Sequence, residues 1–364
     1  MILDGHKLAW HMDRVEAWER GERIAPITID MALTRGCNAH CQFCYSTLQQ
    51  NEGKRLTIPI LERFLSDCKD LGVRGVSLVS DGESTLSPSF EFFIQRAKAL
   101  GLSVALGTNG ILFEDVRARL VLSCLDYCRF NISGGTARSY ARIMGTDTAI
   151  FHEVVRNIRW SVELKKAHGW PVTIGMQMVL MPEYEAEVIP LSELAISCGV
   201  DYLVIKHCSD DEDGSLGVDY SAYEALEPTL RKAEEMSTEQ TKIVVKWSKI
   251  RAGNVRSYSR CYGPPFILQL SGSGLVAPCG MLFGEKYKRY HIGNIAEQSF
   301  KEIVQGDRYR KVMNELRSER FDARTMCGCL CLQHKVNEAL DDHVEGRKKL
   351  VASEEPLPIH ASFL

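Results

Sequence analysis

Three cysteines in the segment TRGCNAHCQFCYS, namely Cys37, Cys41 and Cys44, stand at C-x3-C-x2-C spacing directly after a β-branched run. Three thiolates on one short loop can wrap a cubane iron–sulfur cluster and leave one iron without a protein ligand. S-adenosylmethionine (SAM) suits that open iron, because its amino and carboxylate groups can chelate it. An electron from the cluster then cleaves a C–S bond and yields a 5′-deoxyadenosyl radical. The plainer reading is a zinc loop or three buried thiols, but structural zinc takes four protein ligands and no fourth is nearby.

Five more cysteines, Cys261, Cys279, Cys327, Cys329 and Cys331, gather toward the C-terminus. They suffice for one fully liganded cubane and not for two; a zinc site is the bland alternative. Cys208 in VIKHCSDDE follows a predicted strand, with Lys206 and His207 beside it. It reads as a hydrogen-atom donor or as a buried loop thiol, and its two neighbours as substrate contacts or a proton acceptor. Cys68, Cys124, Cys128 and Cys198 fall in helix or strand patterns and read as core thiols. Arg129, Arg142 and Lys246 read as substrate-side bases or anion contacts, or equally as ordinary surface charges.

The elements that must position these groups alternate from about Ile27 to Lys206. Strands are predicted over Ile27 to Leu33, Gly75 to Ser80, Ser103 to Gly107, Tyr127 to Ser133, Val172 to Leu180 and Tyr202 to Lys206. Helices are predicted over Ile58 to Leu71, Ser87 to Leu100, Phe151 to His168 and Glu187 to Cys198, with Gly101 and Gly199 as stops. Six βα units make an α/β fold that is too short for a closed eight-fold barrel, leaving a partial barrel or an open doubly wound sheet. A polar helix is expected from about Ser221 to Met236, and after Cys261 two short strands, FILQL and LVA, flank the turn SGSG. The expected division is an N-terminal extension over 1–26, a core over 27–247, a small cysteine domain over 248–345 and a tail over 346–364 that frays or lies along the surface.

The Cys37, Cys41 and Cys44 spacing, with aromatic Phe43 before the last cysteine, resembles the radical SAM superfamily over roughly Ile27 to Lys206. The resemblance implies a partial (β/α)6 barrel, a SAM-binding 4Fe–4S cluster, and a Gly-Gly-Glu-like motif after the second strand that receives the SAM amino group. The matching text is SDGES, with Asp81 where the first glycine would stand, then Gly82 and Glu83. Polar groups at later strand ends are implied as further SAM contacts: Thr108, Asn109, Asn131, Ser133 and Gln177. The C-terminal cysteines look like the Twitch domain, the shortened SPASM domain, through C-x17-C and G-x4-C at Cys261, Gly274 and Cys279. Closure by Cys327 and Cys331 is closer to such domains than closure by Cys329, so one auxiliary 4Fe–4S cluster is expected.

The chain has 44 Lys plus Arg against 47 Asp plus Glu and a net charge of -3, which gives no broad footprint for nucleic acid or anionic membrane. No N-terminal or internal apolar run is long enough for a signal or a span. Its 13 cysteines then point to a cytoplasmic, reduced protein. The resemblance implies SAM cleavage and hydrogen abstraction from a small sugar- or aminocyclitol-like substrate, ending in oxidation or epimerisation. A reductase or a flavodoxin- or ferredoxin-type donor would supply the electron. Modification of a peptide or protein side chain is the rival reading, and a non-catalytic iron–sulfur electron carrier the rival of another class.

Overall fold

The segment Ile58–Leu71 is a helix because Pro59 presets its first turn, and Leu61, Phe64, Leu65 and Cys68 recur at helical spacing on the buried side. Gly72 closes it in the left-handed region at φ 81, where a side chain would be strained. A computed structural model describes residues 2–329 and 331–364 of the chain. In order come α1 (Met12–Glu19), β1 (Thr28–Met31), α2 (Ile58–Leu71), β2 (Gly75–Leu78), α3 (Phe90–Ala99), β3 (Ser103–Thr108), α4 (Asp115–Val121), β4 (Tyr127–Asn131), α5 (Ala137–Met144), α6 (Thr148–His168) and β5 (Thr173–Leu180). There follow α7 (Val188–Cys198), β6 (Tyr202–His207), α8 (Glu227–Glu235), β7 (Lys242–Val245), α9 (Trp247–Ala252), β8 (Ile267–Leu270), β9 (Leu275–Ala277), β10 (Gly293–Asn294), α10 (Phe300–Gln305), α11 (Asp307–Leu316) and α12 (His334–Val344).

The strands form one open sheet in the order β10-β9-β8-β1-β2-β3-β4-β5-β6-β7. From β8 to β7 every neighbouring pair is parallel, while β9 and β10 pair antiparallel at the β8 edge. The six predicted strands are all present, and two parallel strands flank them. β7 extends the sheet beyond β6, and β8, the predicted FILQL strand, pairs with β1 in the register Thr28↔Ile267 to Met31↔Leu270. The predicted helix from Ser221 is a 3-10 turn over Tyr220–Leu226 before α8.

The C-terminal tail lies largely exposed over residues 346–359, as expected, but its last residues dock beneath the strands. Thr28 Oγ1 on β1 donates to the Ser362 carbonyl at 2.8 Å, Ser103 Oγ on β3 meets Ser362 Oγ at 3.1 Å, and His360 meets Thr173 Oγ1 on β5 at 2.8 Å. Phe363 packs edge-on against Tyr127 of β4, with ring centroids 5.2 Å apart. Flat strands from β1 to β5 would span about 19 Å, so one short segment reaches them all only because the sheet curls around it. Ala361 and Phe363 are buried in this foot of the barrel, a burial that no local periodicity announces.

Candidate active site

Cys37, Cys41 and Cys44 lie on the loop that leaves the C-terminal end of β1. The amides of His40 and Gln42 donate to the carbonyls of Met144 and Ile143 at the end of α5, both at 3.0 Å, and Tyr184 Oη donates to Gln42 Oε1 at 2.8 Å. Burial and then the neighbouring thiols Cys44 and Cys37 push Cys41 up to about 12. Thiols that oppose one another's ionisation need a cationic partner to become thiolates together, and iron supplies one.

Glu83, just beyond β2, ties this loop to β3. Its Oε1 accepts from Thr85 N at 3.1 Å, Thr85 Oγ1 at 2.7 Å and Thr108 Oγ1 at 2.8 Å, and its Oε2 from Asn109 N at 2.7 Å. Three donors crowd Oε1, so the acceptor capacity that remains for a ligand lies on Oε2. Asn109 Nδ2 reaches Asn38 Oδ1 at 2.7 Å and stands 3.9 Å from Cys37 Sγ. Thr108, Asn109 and Glu83 therefore form one network behind the cysteine loop.

Asp81 turns the other way. It accepts from Arg35 Nε at 3.2 Å, Ser271 Oγ at 2.6 Å and Gly272 N at 2.9 Å, so it joins the cysteine loop to the β8–β9 turn. Gly82 has φ +78, and a Cβ there would stand 2.2 Å from the Thr34 carbonyl. Gly82→Ala is accordingly expected to displace the cysteine loop. Iron retained after anaerobic reconstitution should fall by about half while the C-terminal iron remains.

The C-terminal cysteines converge as a set of four. Burial raises Cys261 well above the usual thiol range, and Cys331, Cys327 and Cys279 raise it further; Cys279 is raised in the same way. Asn337 on α12 sews the set together: its Oδ1 accepts from Tyr262 N and Gly263 N at 2.7 and 2.8 Å, and its Nδ2 lies 3.4 Å from Cys331 Sγ. Gln333 donates to the carbonyls of Ile267 and Pro278 at 2.7 and 3.1 Å, fixing the strand before Cys279 and the residue next to it. Cys329 leaves the group, with its Sγ on the Asp211 carbonyl at 2.7 Å and its amide on the Asp210 carbonyl at 2.9 Å. Among the described residues no three Cys, His, Asp or Glu side chains meet around a single ion.

At the other strand ends, Asn131 and Gln177 bond to each other at 3.1 Å, and Ser133 Oγ accepts from Val179 N at 3.1 Å. Lys206 and Cys208, two residues apart, share the concave face of β6. Cys208 is fully buried, with its Sγ 3.8 Å from the Phe43 carbonyl on the cysteine loop. His207 faces away into a box of Tyr220 and Tyr223, and both its ring nitrogens lack partners. Burial, then Lys249, hold it neutral, and it is not brought together with Lys206 and Cys208.

Residues 31–195 match the radical SAM superfamily, and residues 261–331 match an iron–sulfur cluster-binding domain of the SPASM type. The chain therefore carries a radical SAM domain followed by a SPASM-type iron–sulfur domain. A probable GTP 3′,8-cyclase of Saccharolobus islandicus is 25% identical over 172 residues, 47% of this chain and 53% of that protein. The chain thus spans about half the length of the curated relatives it matches. SuiB of Streptococcus suis, solved with S-adenosylmethionine, is 15% identical with a TM-score of 0.65, covering 84% of this chain and 71% of that one. Native anSMEcpe with bound AdoMet is 17% identical with a TM-score of 0.57, covering 86% and 88%. These two likenesses show a shared fold.

As a radical SAM protein with a SPASM domain, the chain takes SAM, a SAM-binding 4Fe–4S cluster and an auxiliary cluster. The donor sets fit: three thiols on the β1 loop leave an iron open, and Cys261, Cys279, Cys327 and Cys331 can close a full cage. Sequence reasoning missed Arg35, Arg256 and Asn337. Arg256 is buried and donates to the Gly328 carbonyl. Burial works to lower its pKa, and Cys327 and Cys331 more than offset this, which places a permanent cation beside the cage. Isolated arginines and asparagines carry no motif, so only the fold reveals these three.

Proposed function

We propose that this radical SAM enzyme abstracts a hydrogen atom from a carbon of a small sugar- or aminocyclitol-like molecule, and that Cys208 returns a hydrogen atom to the opposite face, inverting that carbon. The observation that carries the reading is the position of Cys208, on the concave face of β6 with its Sγ 3.8 Å from the Phe43 carbonyl. Burial pushes this thiol up to about 12 despite Lys206, so it keeps the S–H hydrogen a donor needs. Transfer to the substrate radical leaves a thiyl, which needs one electron and one proton to return to the thiol. A flavodoxin- or ferredoxin-type donor or a reductase would supply that electron, with an auxiliary cluster held by Cys261, Cys279, Cys327 and Cys331 as its route, and the need for reduced thiols supports a cytoplasmic setting.

Oxidation is the second reading, favoured by the auxiliary cage lying against the segment that follows β6, where Cys329 N meets the Asp210 carbonyl. There a cluster held by Cys261, Cys279, Cys327 and Cys331 would serve as the electron acceptor, and a substrate radical that lost an electron and a proton would become a carbonyl. SuiB has also been solved with its precursor peptide SuiA, so a peptide is the other substrate class to test. Turnover of candidate sugars in deuterated water separates the outcomes. Deuterium at an inverted carbon is the expected result; a new carbonyl, or turnover of peptides alone, would sink the epimerase reading. Reductive SAM cleavage by the reconstituted protein distinguishes either enzyme from a plain electron carrier.

A further inference from the structure

Arg129, Lys206, Lys246 and Lys249 gather near Cys208, and none of them forms a salt bridge to a carboxylate among the described residues. Arg129 projects from β4 on the face shared with Tyr127 and Asn131, and Gly107 beside it leaves room, since a Cβ there would be 3.3 Å from Arg129 Nη2. Arg129 Nε is buried without a hydrogen-bond partner. Lys206 stands on the same concave surface, two residues before Cys208. Lys246 follows β7, its amide bonded to the Ile205 carbonyl at 2.8 Å, and Lys249 lies one turn further along α9.

The acids nearby are few. Asp30 on β1 is pushed up to about 6 by burial, against the pull of Arg129 and Lys206. Asp4, which accepts from Ser248 N at 2.9 Å, faces Lys246 and Lys249. Burial, then Lys249, Arg129 and Lys246, depress Lys206 well below the usual lysine range, and burial, Lys249 and Arg129 bring Lys246 to about 7. Like charges gathered away from water with only Asp30 and Asp4 as nearby carboxylates, neither of them in a salt bridge, destabilise the empty fold, and a polyanionic ligand would relieve that repulsion.

We propose that this chamber holds a phosphate or diphosphate group of the substrate, with Arg129, Lys206, Lys246 and Lys249 as its counter-charges. The assignment rests on the barrel interior being the substrate site of the reaction proposed above. A single carboxylate would leave most of the positive charge unanswered, whereas a polyanion with several acceptor oxygens answers both the Arg fork and the three compact ammonium groups. Lys249 also faces Cys279 and Cys331, so the bound group sits between Cys208 and the auxiliary cage.

The test is anaerobic calorimetric titration of the reconstituted full chain with pyrophosphate, orthophosphate and acetate. Pyrophosphate should bind saturably and more tightly than orthophosphate, acetate should not bind measurably, and R129Q and K246Q should each weaken pyrophosphate about tenfold. R119Q, on the outer helix α4 and paired with Asp115 at 2.6 Å, should leave Kd unchanged. Pyrophosphate should also raise the melting temperature of the unmodified protein, a readout that stands if a variant fails to fold. No pyrophosphate binding, equal binding by R129Q, K246Q and the parent, or preference for acetate would overturn the assignment. Because none of these measurements uses turnover, they can fail while the Cys208 reaction holds, and the reverse.

Discussion

Cys208→Ala is expected to lower inverted product by roughly 100-fold or more, the scale on which removal of a positioned transfer group acts, while 5′-deoxyadenosine still forms from SAM. The split follows from geometry. The radical is made at the loop carrying Cys37, Cys41 and Cys44, and the Cys208 thiol approaches that loop at the Phe43 carbonyl, at 3.8 Å, without belonging to it. The backbone at Cys208 is held independently of its thiol: its amide meets the Leu180 carbonyl at 2.9 Å and Tyr223 Oη at 3.0 Å, and its carbonyl accepts from Tyr220 Oη at 3.1 Å. Removing the sulfur therefore leaves a small void of one atom and keeps the strand end in place. A serine there should not rescue turnover, because the stronger O–H bond does not yield its hydrogen atom to a carbon radical. Quantifying inverted product and 5′-deoxyadenosine in the same anaerobic reaction checks the split. Undiminished inversion would remove Cys208 as donor, and loss of both products would make it part of the radical-forming apparatus.

The parallel core was legible because its signals are local. Ile58–Leu71 carries its own start, stripe and stop, and Gly199 ends α7 in the left-handed region at φ 67. β7 was not legible: KIVV is four residues long, begins with exposed Lys242, and becomes a strand only because β6 offers it a parallel edge. The same holds for the pairing of β8 with β1, which joins segments more than two hundred residues apart and leaves no periodic trace. At the site, the spacing of cysteines located both groups of thiols. What spacing does not encode is direction. Asp81 was grouped with Glu83 as a cofactor contact, yet its carboxylate reaches the Ser271–Gly272 turn, and His207 was grouped with Cys208, yet alternation along β6 sends it to the other face. The cationic cluster was legible only as separate residues, through Arg129, Lys206 and Lys246; the curl of the sheet gathers them.

The contrast between Cys327 and Cys329 carries the second large effect. Cys327→Ala is expected to reduce iron from about eight to about four per chain and to remove the auxiliary cluster's signal in the reduced protein, whereas Cys329→Ala should keep both. Sequence alone offered three thiols for two places. The contacts of Gly328 and Cys329, which meet the loop after β6, favour Cys327 and Cys331. The Cys329 amide and thiol both meet carbonyls there, and a Cβ at Gly328 would come within 2.7 Å of the Asp210 carbonyl. Turning the Cys329 sulfur toward the cage breaks the thiol's contact to the Asp211 carbonyl, and moving its backbone there breaks the amide bond to Asp210. Cys331 meanwhile is fixed by the helix that follows it, through Asn337 Nδ2 at 3.4 Å. Iron analysis with electron paramagnetic resonance on both variants reads the outcome. Iron lost from Cys329→Ala and kept in Cys327→Ala would exchange their roles, and it would require the Asp210 contact to open when the cluster is inserted.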